Sequence, residues 1–142
     1  MSAQIRQRPA LTNELAQQVL KAAEKAAADL GQPSTIAIVD ESGNLNALNR
    51  QDGAALLTVE IAQDKAYTAA GFGMPTDQWH EFIKDDQPLA MGAPTGIRRL
   101  IVFGGGLPIV VDGAVVGGVG VSGGHWSDDI KIAQAGLASL DA

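Results

Sequence analysis

The 142-residue sequence contains no cysteine. Disulfide bonds, thiolate catalysis and cysteine-ligated zinc or iron–sulfur clusters are therefore excluded. Aromatic residues make up only 4% of the chain and charged residues only 18%, whereas 17 residues are glycine. Acidic side chains outnumber basic ones, and the formal net charge of −6 argues against non-specific binding to nucleic acid or to anionic membranes.

Long apolar runs are also missing. No stretch is long enough to span a bilayer, and the first residues lack the apolar segment of a signal peptide. We therefore expect a soluble, cytoplasmic protein with no membrane or nucleic-acid partner. The length suits a single domain over residues 1–142, which is large enough to bury a core without covalent cross-links.

Hydrophobic periodicity and turn residues predict three long helices and five strands. Thr12 is a suitable N-cap for the first helix, Gly31 ends it, and Asp112-Gly113 predicts a hairpin turn. Neighbouring strands joined by tight turns must be antiparallel. We therefore predict an α+β fold, with helices packed on a five-stranded, mainly antiparallel sheet. The predicted helices are 12–30, 53–72 and 127–140; the strands are 34–40, 45–50, 98–103, 107–111 and 114–121; segment 74–97 is irregular, with one short helix capped by Thr76.

The last strand is rich in glycine. The spacing of Gly118, Gly120 and Gly123 matches a dinucleotide-binding loop, but only one helix follows, so no second parallel strand can form. Strand alternation places Val116, Gly118 and Gly120 on one face, together with Ser122. A face with so few side chains can accept a helix backbone, another subunit or a flat ligand.

The turn after this strand, "SGGHWSDD", favours a binding site. It places the backbone amides of Gly123 and Gly124 at the N-terminus of the last helix, where an anion or a carbonyl oxygen is stabilised. His125 and Trp126 stand beside these amides. Asp129 opens the same helix, where it can cap the helix, pair with a lysine or orient His125.

Lys65 is the most informative single residue, because it falls within the apolar arc of the second helix. A lysine in that position must bury its stem, and its amine needs a partner. It could anchor a ligand, or serve as an acid or base with a lowered pKa. It could equally be structural, bonded to carbonyl groups or paired with an aspartate, and the sequence leaves both alternatives open.

The only two histidines are His80 and His125, and neither has the spacing of a preformed metal site. Each is a candidate acid, base or haem ligand. Trp79 lies beside His80 in the irregular segment, where it could belong to an apolar lid or to the core.

Three segments, "AQDKAYTAAGFGMPT", "GGGLPIVVDGAVVGGVGVSGG" and "DDIKIAQAGL", resemble the GlcG/HbpS family, and the resemblance covers residues 12–142. It implies a profilin-like α+β fold and a homo-oligomer, often an octamer built from dimers. It also implies haem or tetrapyrrole binding in some members and a place beside catabolic enzymes. The positions that match are Lys65, Thr68, Phe72, Pro108, Asp112, Gly113, Ser122, Gly123 and Asp129.

Together these observations predict a small-ligand-binding protein, nominally for haem, with its pocket at a subunit interface. The alternative is an enzyme of a catabolic pathway, in which Lys65 and His125 transfer a proton and the Gly123 and Gly124 amides hold an oxyanion. A third is an oligomer without a ligand. The predicted site residues are Lys65, Trp79, His80, Ser122, Gly123, Gly124, His125, Trp126 and Asp129.

Overall fold

The fold was obtained as a computed structural model, which describes residues 3–141. Within these residues the chain forms five α-helices and four strands. None of the helices in this range combines the length and apolarity that crossing a bilayer requires. The elements are α1 Asn13–Asp29, β1 Thr35–Asp40, β2 Leu45–Arg50, α2 Thr58–Phe72, α3 Thr76–Ile83, α4 Gln87–Gly96, β3 Gly106–Val111, β4 Ala114–Ser122 and α5 Trp126–Ala138, with a closing 3₁₀ turn at Ser139–Asp141.

The four strands form one antiparallel sheet in the order β2-β1-β4-β3. The α+β prediction is confirmed, but the fifth strand, at residues 98–103, is wrong. Arg99 has a left-handed backbone with φ of 69°. The Thr68 hydroxyl on α2 donates to the Arg99 carbonyl (2.9 Å) and accepts from the Ile101 amide (3.1 Å). A helix side chain thus takes the backbone groups that a strand would use in a ladder.

The segment before it contains two helices, α3 and α4, where the sequence predicted one. Thr76 is the first residue of α3 and not its cap, because Pro75 occupies the cap position. The buried Thr76 hydroxyl instead accepts a hydrogen bond from the Gly106 amide, at 3.0 Å. Asp86 is the N-cap of helix α4, and its carboxylate accepts a hydrogen bond from the Leu89 amide at 3.1 Å. This contact between Thr76 and Gly106 ties α3 to the start of β3.

The sheet separates two layers of helix. Helices α1 and α5 pack on one face with the larger core, which includes Ile36 and Ile38 of β1. Helix α2 packs on the other face, against Ala37 and Val39 of the same strand. This alternation along β1 follows from the two-residue period of a strand.

Helix α2 lies directly on β4 because two glycines leave room for its backbone. A Cβ atom on Gly118 would collide with the Ala66 carbonyl oxygen, and one on Gly120 with that of Ala62. The predicted bare face is therefore filled by a helix backbone, which was one of the alternatives. The sequence predicted that Val116 lies on this face, and that prediction is wrong. A bulge in the pairing of β3 with β4 turns it to the larger core.

Candidate functional site

Lys65 is fully buried between α2, β4 and α5. Its side chain is 1% exposed, and its Nζ donates to the Val121 carbonyl (2.8 Å) and to Asp129 Oδ2 (2.9 Å). The Phe103 ring covers the amine, with its centroid 5.2 Å from Nζ. The amine fits here because residue 105 is a glycine, with φ of 125°. A Cβ atom on Gly105 would lie only 2.6 Å from Nζ. The predicted burial of Lys65 is confirmed.

Asp129 also accepts hydrogen bonds from two further groups. Its Oδ1 accepts from Gln32 Nε2 at 3.0 Å and from the Gly124 amide at 3.3 Å. Burial lowers the pKa of the Lys65 amine, and the charge and hydrogen bond of Asp129 oppose that change. The network joins α2, the turn before β1 and the first turn of α5. Of the roles left open by the sequence, pairing with Lys65 is the one that Asp129 takes.

His125 and Trp126 form the start of α5. His125 is the N-cap residue, and its Nδ1 accepts from the Ser127 amide at 3.2 Å. The two ring centroids are 4.9 Å apart, with a tilt of 37° between the planes. Trp126 remains 44% exposed. Asp129, three residues further along, anchors the first turn of α5 through the buried ion pair with Lys65.

An open cavity of about 410 Å³ lies between α3, residues 102–104 and the start of α5. Its walls are mostly apolar, with the rings of Phe103 and Trp126 among them. Gly104 brings the backbone against α5, because a Cβ there would lie 3.0 Å from Trp126 Cε3. The lining residues are Asp77, His80, Glu81, Val102, Phe103, Gly104 and Trp126.

The structure divides the predicted site residues into separate groups. His80 and Trp126 line the cavity. Lys65, Asp129 and Gly124 belong to the buried network, in which the Lys65 amine lies behind the Phe103 ring of the cavity wall. The others do not line the cavity: Ser122 is buried on β4, Gly123 packs against Ser34, and His125 caps α5 beside Trp126.

Trp79 is buried next to the cavity and not in its lining. Its indole is 3% exposed and lies edge-on between Phe72 and Phe82, at centroid distances of 4.7 and 5.8 Å. Its Nε1 is the one buried side-chain polar atom in residues 3–141 that lacks a hydrogen-bond partner. Of its two predicted roles, lid or core, its burial agrees with the second.

Sequence reasoning missed most of the cavity wall. Phe103 was assigned to a strand that does not form, and Gly104 was not singled out. Asp77 and Glu81 could have been found together with the predicted His80, since spacings of three and four residues from Asp77 place side chains on one face of a helix. That signal was hidden because the segment was predicted to be largely irregular.

Comparison with known proteins shows relatives that match most of the chain. A family described as haem degrading protein HbpS-like matches residues 11–138. Protein GlcG of Escherichia coli K12 is 34% identical over 112 residues, which cover 79% of this chain and 81% of GlcG.

Two crystal structures share the whole fold. Protein ORFY of Klebsiella pneumoniae superposes with a TM-score of 0.91 at 32% identity, over 100% of this chain and 98% of ORFY. A PduOC:heme complex superposes with a TM-score of 0.86 at 30% identity, over 92% of this chain and 95% of PduOC. At these identities the likeness extends beyond the fold to sequence relationship.

Proposed function

Because the chain belongs to the HbpS-like family, we propose that it binds haem or a related tetrapyrrole in the cavity between α3 and α5. The observation that carries the proposal is the cavity lining. One open space brings together the His80 imidazole and the rings of Phe103 and Trp126. The haem complex of PduOC, a relative with the same fold, supports the ligand class.

The side chains present suit a flat macrocycle. A volume of about 410 Å³ lies within the usual range for small-ligand cavities, and aromatic walls can stack on a planar ring. His80 carries an imidazole, the commonest protein ligand of haem iron, and would hold the iron. Haem, when bound, supplies an iron centre for redox or gas-ligand chemistry. Phe103 and Trp126 would exclude water from its faces.

The buried network has a positioning role in this proposal. Lys65 contacts the inner side of Phe103, and Asp129 anchors the helix that carries Trp126. In this proposal the Lys65–Asp129 ion pair supports both aromatic walls, since Lys65 lies behind Phe103 and Asp129 is on the helix of Trp126. Its contribution to binding is indirect, because neither charged group lines the cavity.

The enzyme alternative needs groups that are already bonded inside the chain. The Lys65 amine is held by Asp129 and Val121, and the Gly124 amide donates to Asp129. The His125 imidazole caps α5. Proton transfer by Lys65 and His125 therefore stays a prediction, and haem binding is the function that the cavity favours.

Replacing His80 by alanine tests the proposal. We expect haem affinity to fall by about tenfold or more, which corresponds to roughly 1.4 kcal/mol, because an axial ligand is lost. The measurement is a titration of the protein with hemin, followed by the Soret band. The comparison variant is His125→Ala, which removes the other imidazole; this group is not in the cavity lining but contacts the Trp126 ring.

The possible outcomes are distinct. A wild-type protein that leaves the hemin spectrum unchanged overturns haem binding. Equal Soret shifts and affinities for wild type and His80→Ala overturn the assignment of His80. Loss of the shift in His125→Ala alone transfers the ligand role to His125, which the sequence also predicted.

We also propose that the protein forms a homo-oligomer through the apolar surface beside α3. Phe72 and Phe82, which both contact the Trp79 ring, are 66% and 63% exposed, and Met91, on the neighbouring helix α4, is 68% exposed. Met91→Glu is expected to lower the mass measured by light scattering, because a charge would be buried at the contact. Leu30→Glu, at an apolar residue 52% exposed at the end of α1, should leave the mass unchanged. An unaltered mass for Met91→Glu would exclude this surface.

A further inference from the structure

We propose that Asp77 and Glu81 make the cavity selective against negatively charged ligand substituents. The ligand would then be uncharged or cationic on the side that meets α3. This inference rests on the proposed function, since it concerns which tetrapyrroles the same cavity accepts. It goes beyond that proposal by naming the residues that discriminate between ligands of the same shape.

The charged side chains of the cavity lining are all acidic. Asp77 and Glu81 are separated by four residues on α3, and both line the cavity. Within the part of the chain that the structure describes, no lysine or arginine is in the lining. The wall therefore presents carboxylates and no cation to whatever enters.

The nearest basic side chains do not reverse this charge. Lys84 is bonded to Glu81 at 2.6 Å and reduces the effect of that carboxylate. The Lys65 ammonium lies behind the Phe103 ring and is paired with Asp129. Asp77 takes part in no ion pair among residues 3–141. Of the two carboxylates in the lining, Asp77 is consequently the one whose charge no ion pair offsets among residues 3–141.

Like charges repel most strongly where apolar walls reduce screening by water. Phe103, Val102 and Trp126 provide such walls here. A ligand with two carboxylates, as haem has, must therefore keep them away from α3 and in solvent. A tetrapyrrole with esterified or amidated side chains has no such restriction and can enter in more than one orientation.

The test compares hemin with hemin dimethyl ester, which differ at two substituents: each is a carboxylate in hemin and an uncharged methyl ester in the other. Both are titrated at pH 7 and low salt with the wild type, Asp77→Asn and the control Asp85→Asn. Asp85 follows α3 and carries the same charge, but it is exposed and outside the lining. The ratio of the two affinities is the readout, because it cancels any general effect of a substitution on the fold.

For the wild type we expect the ester to bind more tightly than hemin. Part of that preference comes from the greater apolarity of the ester, so the decisive result is its change with the protein. Asp77→Asn should reduce the ratio by about threefold to tenfold, mainly by tightening hemin, and raising the salt concentration should reduce it in the wild type. Asp85→Asn should leave the ratio as it is.

An unchanged ratio in Asp77→Asn, with both ligands still binding, would overturn the inference and leave haem binding intact. A reduction of equal size in Asp85→Asn would also overturn it, since net charge alone would then be responsible. If neither ligand binds the wild type, the proposed function itself fails. Glu81→Gln provides a second variant should Asp77→Asn fold poorly, and a smaller reduction is expected because Lys84 already neutralises that carboxylate.

Discussion

Replacing Lys65 by alanine is expected to destabilise the protein by about 3–5 kcal/mol, because it leaves a buried carboxylate without its counter-ion. The Asp129 side chain is only 2% exposed and cannot regain the solvation that it lost on folding. Its two remaining donors, Gln32 and the Gly124 amide, supply hydrogen bonds but no full charge. The free energy of unfolding, measured by urea denaturation, checks this prediction.

Two further variants separate the loss of the pair from the loss of the side chain. Lys65→Met combined with Asp129→Leu should recover much of the stability, since a buried pair can be replaced by apolar groups of similar size. Lys25→Ala breaks the pair of Lys25 with Asp29, whose side chains are 77% and 65% exposed, and should hardly change the urea midpoint. If Lys65→Ala is as mild as Lys25→Ala, the buried ion pair is not a major source of stability.

Among substitutions that add one methyl group to β4, Gly120→Ala is expected to destabilise the protein most. The new Cβ would overlap the Ala62 carbonyl oxygen and lie 2.6 Å from the Ala66 nitrogen. Both neighbours are helix backbone, so the collision is relieved only if α2 moves off the sheet. Overpacking of this kind costs about 1–3 kcal/mol and occasionally more, and we expect the upper end. Thermal unfolding followed by circular dichroism measures the effect.

Gly71→Ala is the matched control for Gly120→Ala. Gly71 lies near the end of α2, and a Cβ there would meet no atom within 4 Å. The same substitution should therefore stabilise the protein by about 0.5–1 kcal/mol, because alanine is the better helix former. Opposite signs for the two variants are the expected result, and a neutral Gly120→Ala would contradict the close contact of α2 with β4.

Local features were predicted correctly where neighbouring residues decide them. Thr12 caps α1, and its Oγ1 accepts from the Leu15 amide at 3.1 Å. The Asp112-Gly113 turn has φ of 49° and 79°, as that pair of residues predicts for a hairpin. The helical arc of α2 correctly indicated that Lys65 is buried, because helix periodicity is a property of one segment.

Errors arose where a distant residue competes for backbone groups. Residues 98–103 look like a strand in isolation, but the Thr68 hydroxyl, 31 residues earlier than Arg99, bonds the Arg99 carbonyl and the Ile101 amide that a strand would pair. Simple strand alternation would place Val116 on the face of Gly118. A bulge in the pairing of β4 with β3 places it on the other face instead. Neither effect leaves a signal in the segment that it changes.

The amino-acid pattern of the chain was thus sufficient for the α+β class, the hairpins, the Thr12 cap, the burial of Lys65 and the family resemblance, since each depends on short-range order or on the residues themselves. The partner of Lys65 and the composition of the cavity depend on how the elements pack together. Asp129 is 64 residues away from Lys65, and His80 is 46 residues away from Trp126. Such pairs become neighbours only when α2, α3 and α5 are assembled around one sheet, because the shape of the close contacts, such as Gly120 against Ala62, selects that single arrangement.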